Sequence, residues 1–190
     1  MLVDRIIGAF TFRKGVYAEV ERDTAFSTTA WILVIVVAFL SQLGAAASAD
    51  LITWLTGAVV GTVTAIIGFA LAAFVVSLVG RAAFNAEVSF DEMVRTLGLA
   101  YVWHVVGVIG ILGALSPALS CLTAPAVFVA WLLGLIAWIV AAKEALDLEW
   151  LQLIVTVVIG WLVFAAIMVA SDIVLGLLGL GAAGVAGLLG

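Results

Sequence analysis

Of the 190 residues, 67% are hydrophobic and only 10% charged, where soluble domains run at roughly half apolar and a quarter charged. A chain of this length cannot hide that much apolar surface from water, so lipid is its natural solvent. The net charge of −5 arises from clustered groups, with no basic patch of a size that would bind nucleic acid. The single cysteine, Cys121, excludes an intrachain disulfide and a thiolate metal cage.

Taken from the start, residues 1–28 form a cytoplasmic lead-in. Asp4 and Arg5 precede only a weak amphipathic stretch, and the first long apolar run begins near Ala30, so this is not the pattern of a cleaved signal peptide. Leu2, Val3, Ile6, Ile7 and Phe10 recur at helical spacing, followed by Val16, Tyr17 and Val20. Two readings fit. In one, the helix lies on the membrane with Arg5, Arg13, Lys14 and Arg22 facing phosphate headgroups; in the other, it docks on the protein's own bundle.

Crossing a hydrocarbon layer of ~30 Å takes about 20 apolar residues. Five runs qualify: roughly 30–47, 56–80, 96–115, 125–142 and 150–170. They lack the strict alternation of barrel strands, and lipid offers no partner for unpaired backbone groups, so they are helices. The expected fold is an all-α polytopic bundle of five spans over residues 29–171. Every Lys and Arg then falls on one face: Arg5, Arg13, Lys14 and Arg22 before the first span, Arg81 and Arg95 between the second and third, Lys143 between the fourth and fifth. The positive-inside rule makes that face cytoplasmic, with the N-terminus inside and the C-terminus outside.

Between the second and third spans, Ser89 followed three residues later by Glu92 has the form of a capping box. The third helix should therefore start in water near Ser89 and enter lipid around Thr96, with Asp91 and Glu92 suited to the positive end of the helix dipole. Asp91, Glu92 and Arg95 read as a structural charge group, with partner docking as the alternative. Lys143 and Asp147 are spaced i, i+4 beside Glu144 and Glu149, which suits a solvated turn; a metal or partner site is the other reading. Cys121 falls in an outer loop, 116–124. In the tail, 172–190, glycines weaken the helix and Asp172 interrupts burial, which favours a peripheral segment over a sixth crossing.

The run after the second span, Gly80-Arg81 through "SFDEMVRTLGLA", and the stretch "AAKEALDLEWLQLIVTVVIGW" (residues 141–161) resemble the YIP family of five-span membrane proteins. Phe90, Arg95, Leu97, Gly98 and Ala100 fit the prokaryotic pattern after the second span; Lys143, Glu144 and Ala145 fit the inner loop before the fifth. The DLYGP motif of eukaryotic members is absent, so their binding to Rab GTPases does not carry over. Where prokaryotic members often place a proline, Tyr101-Val102-Trp103-His104 stands instead. The resemblance implies an integral membrane adaptor or scaffold with no settled biochemical activity.

His104, the only histidine, falls inside the third span, about 12 Å past Thr96. An ionisable group at that depth is a functional-site candidate. Ala100 before it and Gly107 after it would let a flat macrocycle approach, as in the ligand helices of bacterial antenna polypeptides, so bacteriochlorophyll or haem is the cofactor reading. The plainer reading is a neutral imidazole hydrogen-bonded to Ser, Thr or a backbone carbonyl on an adjacent helix, with Thr62, Thr64, Ser77 and Thr156 among the candidates. Gly57 and Gly61, with Gly107, Gly110 and Gly113, are small residues that let helix backbones approach within the bundle or across a subunit contact. Trp31, Trp54 and Trp150 fall near the interfaces, while Trp103, Trp131, Trp138 and Trp161 lie deeper. No catalytic constellation emerges. The expected function is that of a non-enzymatic accessory or scaffold protein binding other membrane proteins or its own copies. A cofactor-bearing subunit of a photosynthetic or electron-transfer complex stands second, a small transporter third.

Overall fold

The computed structural model describes residues 2–48 and 50–177, and every regular element among them is helical. Two short helices, α1 (Leu2–Phe10) and α2 (Val16–Arg22), lead into α3 (Phe26–Ala45) and α4 (Leu51–Phe84). The third span consists of α5 (Phe90–Ala100), a 3-10 segment (Tyr101–Ile109) and α6 (Gly110–Leu115). Helices α7 (Pro117–Leu146) and α8 (Trp150–Leu177) complete the bundle. Five helices are long and apolar enough to cross a bilayer: Phe26–Ala45, Leu51–Phe84, Phe90–Leu115, Ala118–Leu146 and Trp150–Ser171. The chain is an all-α, multi-pass membrane protein.

Helix ends follow local chemistry. Asp50 caps α4 by accepting the Thr53 N–H at 2.6 Å. The Thr53 hydrogen bonds hold its carboxyl below the usual carboxylate range. The capping box at α5 is complete: Ser89 Oγ accepts from the Glu92 N–H at 3.1 Å, and Glu92 Oε2 accepts from the Ser89 N–H at 2.6 Å. Helices α4 and α7 stop at Asn85 (φ 55°) and Asp147 (φ 47°), residue types that tolerate the left-handed region.

Three sequence expectations change. The 116–124 stretch is not a loop: Pro117 opens α7 at a position where its missing N–H costs nothing, and Cys121 lies exposed on that helix. The fifth span ends where expected, at Ser171, but the start of the tail is not a separate segment: α8 continues through Asp172 to Leu177, and the remainder of the tail, 178–190, lies outside the described residues. The third correction concerns the third span, whose middle is 3-10 rather than α for nine residues, well beyond the three or four at which such runs usually stop.

Packing against α3 supplies the reason. The two helices run parallel. A Cβ added at Gly98 would lie 3.1 Å from Ala30 Cβ, Gly107 sits on Ser41, and Gly110 on the Gly44 backbone. From Ala30 to Gly44, α3 advances by fourteen residues, or about 21 Å. From Gly98 to Gly110 the third span has only twelve. These would cover about 18 Å as α-helix, but cover about 22 Å with the 3-10 rise of ~2.0 Å per residue. The stretched segment keeps both contact rows in step.

At the bundle centre, Phe69 of α4 is fully buried and meets Trp31, Tyr101 and Trp138 edge-on at ring-centroid distances of 5.8, 5.4 and 5.9 Å. Trp161 of α8 joins the same cluster through Trp131 and Trp138. Aromatic rings from all five spans thus interlock, and pairs of this geometry contribute about 1 kcal/mol each beyond their burial.

Candidate functional site

His104 sits in the 3-10 segment, where side chains three residues apart eclipse one another. Its ring consequently stacks on Tyr101 at 4.4 Å and 14°. Nδ1 donates to the Tyr101 carbonyl at 3.3 Å, while Nε2 is buried and bonds no described group. Trp161 and Phe164 stand near it, each 6.3 Å away by ring centroid, and Gly134 faces the ring edge. The expected partners on other helices are engaged elsewhere. Thr62 bonds Ala58 O, Ser77 bonds Phe74 O, Thr156 bonds Gln152 O, and Thr64 pairs with Ser171 at 2.9 Å.

This surrounding also decides the tetrapyrrole reading. Ala100 is fully buried and Gly107 is pressed on Ser41, so neither leaves a slot beside the imidazole. A macrocycle on Nε2 would have to displace Trp161 or Phe164. The residues present do not fit bacteriochlorophyll or haem.

Arg95 does more than close a local charge group with Asp91 and Glu92. Its side chain is only 4% exposed and gathers one end of the bundle. Nε donates to the carbonyls of Val20 and Glu21 at 3.2 and 3.1 Å, and Nη2 to Glu21 O at 2.6 Å. Nη1 pairs with Asp91 and reaches Ser27 Oγ at 3.3 Å; Ser27 in turn donates to Asp91 at 2.7 Å. A cation at the last carbonyls of α2 satisfies groups the helix leaves open and complements its dipole. The signal available in sequence was a cation at the point where α5 turns apolar, but its acceptors are backbone oxygens some 75 positions away.

The other basic residues divide. Arg5 pairs with Asp23 at 2.8 Å and lies 5.0 Å over the Phe26 ring; Arg13 pairs with Glu19 at 3.0 Å. Lys14 and Arg22 are exposed. Helix α2 follows the docked reading, with Val16, Tyr17 and Val20 buried, whereas α1 leaves Leu2, Val3 and Ile7 exposed. At the same end, a polar recess of about 640 Å³ is lined by Glu21, Arg22, Asn85, Glu87, Glu144 and Asp147. Burial, with Glu92 and Glu144 nearby, holds the Glu21 carboxyl above its ordinary value. Lys143 meets Asp147 at 4.0 Å and also bonds Leu148 O. Among the described residues, no three metal-ligating side chains cluster.

The glycines pack inside the bundle. Gly57 faces Ala46, Gly61 faces Gln42, and Gly107 and Gly110 face Ser41 and Gly44. Beside the last two, at the end of the bundle away from Arg95, a groove of about 760 Å³ opens between α3, the 3-10 segment with α6, and α7. Its floor is Ser41, Gly44, Gly107 and Gly110; Phe128 and Trp131, both partly exposed, stand at its side. Comparison of the chain with protein-family models, curated proteins and solved structures finds no match.

Proposed function

We propose that this chain is a non-enzymatic accessory or scaffold protein of the cytoplasmic membrane that binds other membrane proteins through its spans. The observation that carries this reading is the groove, an opening on the bundle's flank floored by Gly and Ser and lined further by Ala45, Ala114 and Ala124. Small residues lining such a surface let another helix approach closely, so that dispersion and Cα–H contacts hold the pair. The buried polar groups add to it: Arg95 and His104 both bond backbone carbonyls, which are structural duties. In this reading the Arg95 end, which carries the basic residues, faces the cytoplasm. No family model matches the chain, so membership of the YIP family, itself a proposal here, rests on the residues that carry the resemblance.

Purification in mild detergent is expected to yield a partner or an oligomer of defined stoichiometry. Ala124→Phe, which fills the groove from an exposed position, should abolish that association without lowering the thermal stability of the bundle. A strictly solitary monomer, or an association indifferent to Ala124→Phe, overturns the reading.

A further inference from the structure

The 3-10 form of the third span lies close to an α-helical one in backbone geometry. Its dihedrals at the borders of the 3-10 segment, (−65°, −25°) at Ala100 and (−64°, −15°) at Ile109, lie within about 30° of α-helical values. Passing from one form to the other therefore crosses no forbidden region. The two forms nevertheless differ greatly at the scale of the bundle. Nine residues span about 18 Å as 3-10 helix and about 13.5 Å as α-helix. Each residue also turns ~120° in one form and ~100° in the other, so the segment's ends rotate by about half a turn relative to each other.

What holds the extended form is a row of residues at spacing three. Tyr101, His104, Gly107 and Gly110 line up only because the helix is 3-10. Tyr101 and His104 stack within that row, and Gly107 and Gly110 lie against Ser41 and Gly44. In α form the row fans out, and Gly110 falls about 4 Å short of Gly44. The α form has better hydrogen-bond geometry; the 3-10 form has the α3 contact and the greater length. The balance between them thus depends on how long the span needs to be. A bilayer sets that length, since a hydrophobic segment mismatched to the hydrocarbon thickness costs a fraction of a kcal/mol for every ångström.

We propose that the Tyr101–Ile109 segment is a thickness-sensitive element: extended 3-10 in a thick bilayer, converting to α-helix in a thin one and withdrawing Gly107 and Gly110 from Ser41 and Gly44. Those four residues form the floor of the groove, so the same transition reshapes it. The lipid property read is acyl-chain length, and headgroup chemistry plays no part.

The test uses the full chain with Cys121→Ser, reconstituted in phosphatidylcholine vesicles with 14:1 or 22:1 chains. Spin labels at Phe90→Cys and Leu115→Cys, both exposed positions flanking the segment, report its length. The distance between them is expected to be about 4 Å shorter in the 14:1 vesicles. Two cysteine pairs locate the change. Ser41→Cys with Gly107→Cys places Cβ atoms 3.3 Å apart across the moving contact; Ala30→Cys with Gly98→Cys does so at 3.1 Å ahead of the segment. Both are near disulfide range. Oxidative closure of the first pair should slow about tenfold in 14:1 vesicles, while the second closes at one rate in both. An unchanged label distance overturns the proposal. So does a shortening in which the two pairs respond alike, since that places the change outside the segment.

Discussion

The two halves of the third span are held by opposite means. In α5 every residue from Met93 to Ala100 is buried, including a cation, and the helix is fixed by directed bonds: a capping box, Arg95 on the α2 carbonyls, and Asp91 with Ser27. In the 3-10 half the His104 imidazole bonds its own helix, and position is fixed by shape, with glycine against glycine and ring against ring. Directed bonds hold one geometry and fail abruptly. Shape contacts at a small-residue row tolerate sliding, which is why conformational freedom is expected in the second half and not in the first.

The comparison breaks most sharply at Arg95. Arg95→Met strands the Val20 and Glu21 carbonyls and leaves Asp91 without its cation, and should cost about 3 kcal/mol, read as a fall in the melting temperature of the detergent-solubilised protein. Arg95→Lys should recover little of it, because an ammonium cannot reproduce the planar fork. In the other half, Gly44→Ala would drive a methyl into the Gly107 carbonyl. Overpacking of this kind costs about 2 kcal/mol, and the variant should also lose 3-10 signature by infrared spectroscopy, which Arg95→Met should retain. Ser89→Ala opens the capping box, with an expected loss of about 1 kcal/mol in the same melting assay.

The smallest effect sharpens the picture of the Arg95 end. Glu21 has its carboxyl raised in the folded protein, so the folded state binds its proton more tightly than the unfolded chain does. The resulting penalty is absent below the ordinary carboxylate value and grows as pH rises through it, reaching its full size above the raised folded value. Glu21→Gln should therefore raise the melting temperature slightly at pH 7 and leave it unchanged at pH 4. Its backbone carbonyl, the one Arg95 uses, is untouched by the change.

Five membrane-spanning helices, their order, the Ser89–Glu92 cap and the Lys143–Asp147 pair are all legible in the amino-acid sequence, because each depends on composition or on neighbours within a few positions. The site residues are legible only as residue types. His104 stands out as a histidine in apolar sequence, yet its partner is the Tyr101 carbonyl of its own helix rather than a hydroxyl or carbonyl on an adjacent one. The spacing of three from Gly98 through Tyr101, His104, Gly107 and Gly110 was present to be read, but a spacing of three also occurs on an α-helix face and cannot declare a 3-10 run unaided.

What sequence alone determined is the solvent and the threading, since transfer of apolar side chains into lipid is additive along the chain. What only tertiary structure decided is the geometry inside the bundle: Arg95 reaching carbonyls on α2, Phe69 joining rings from separate spans, and twelve residues stretched to match fourteen of α3. Each of these depends on where a second helix lies, and helix-to-helix register is a property of the packed pair that neither strand of sequence carries by itself.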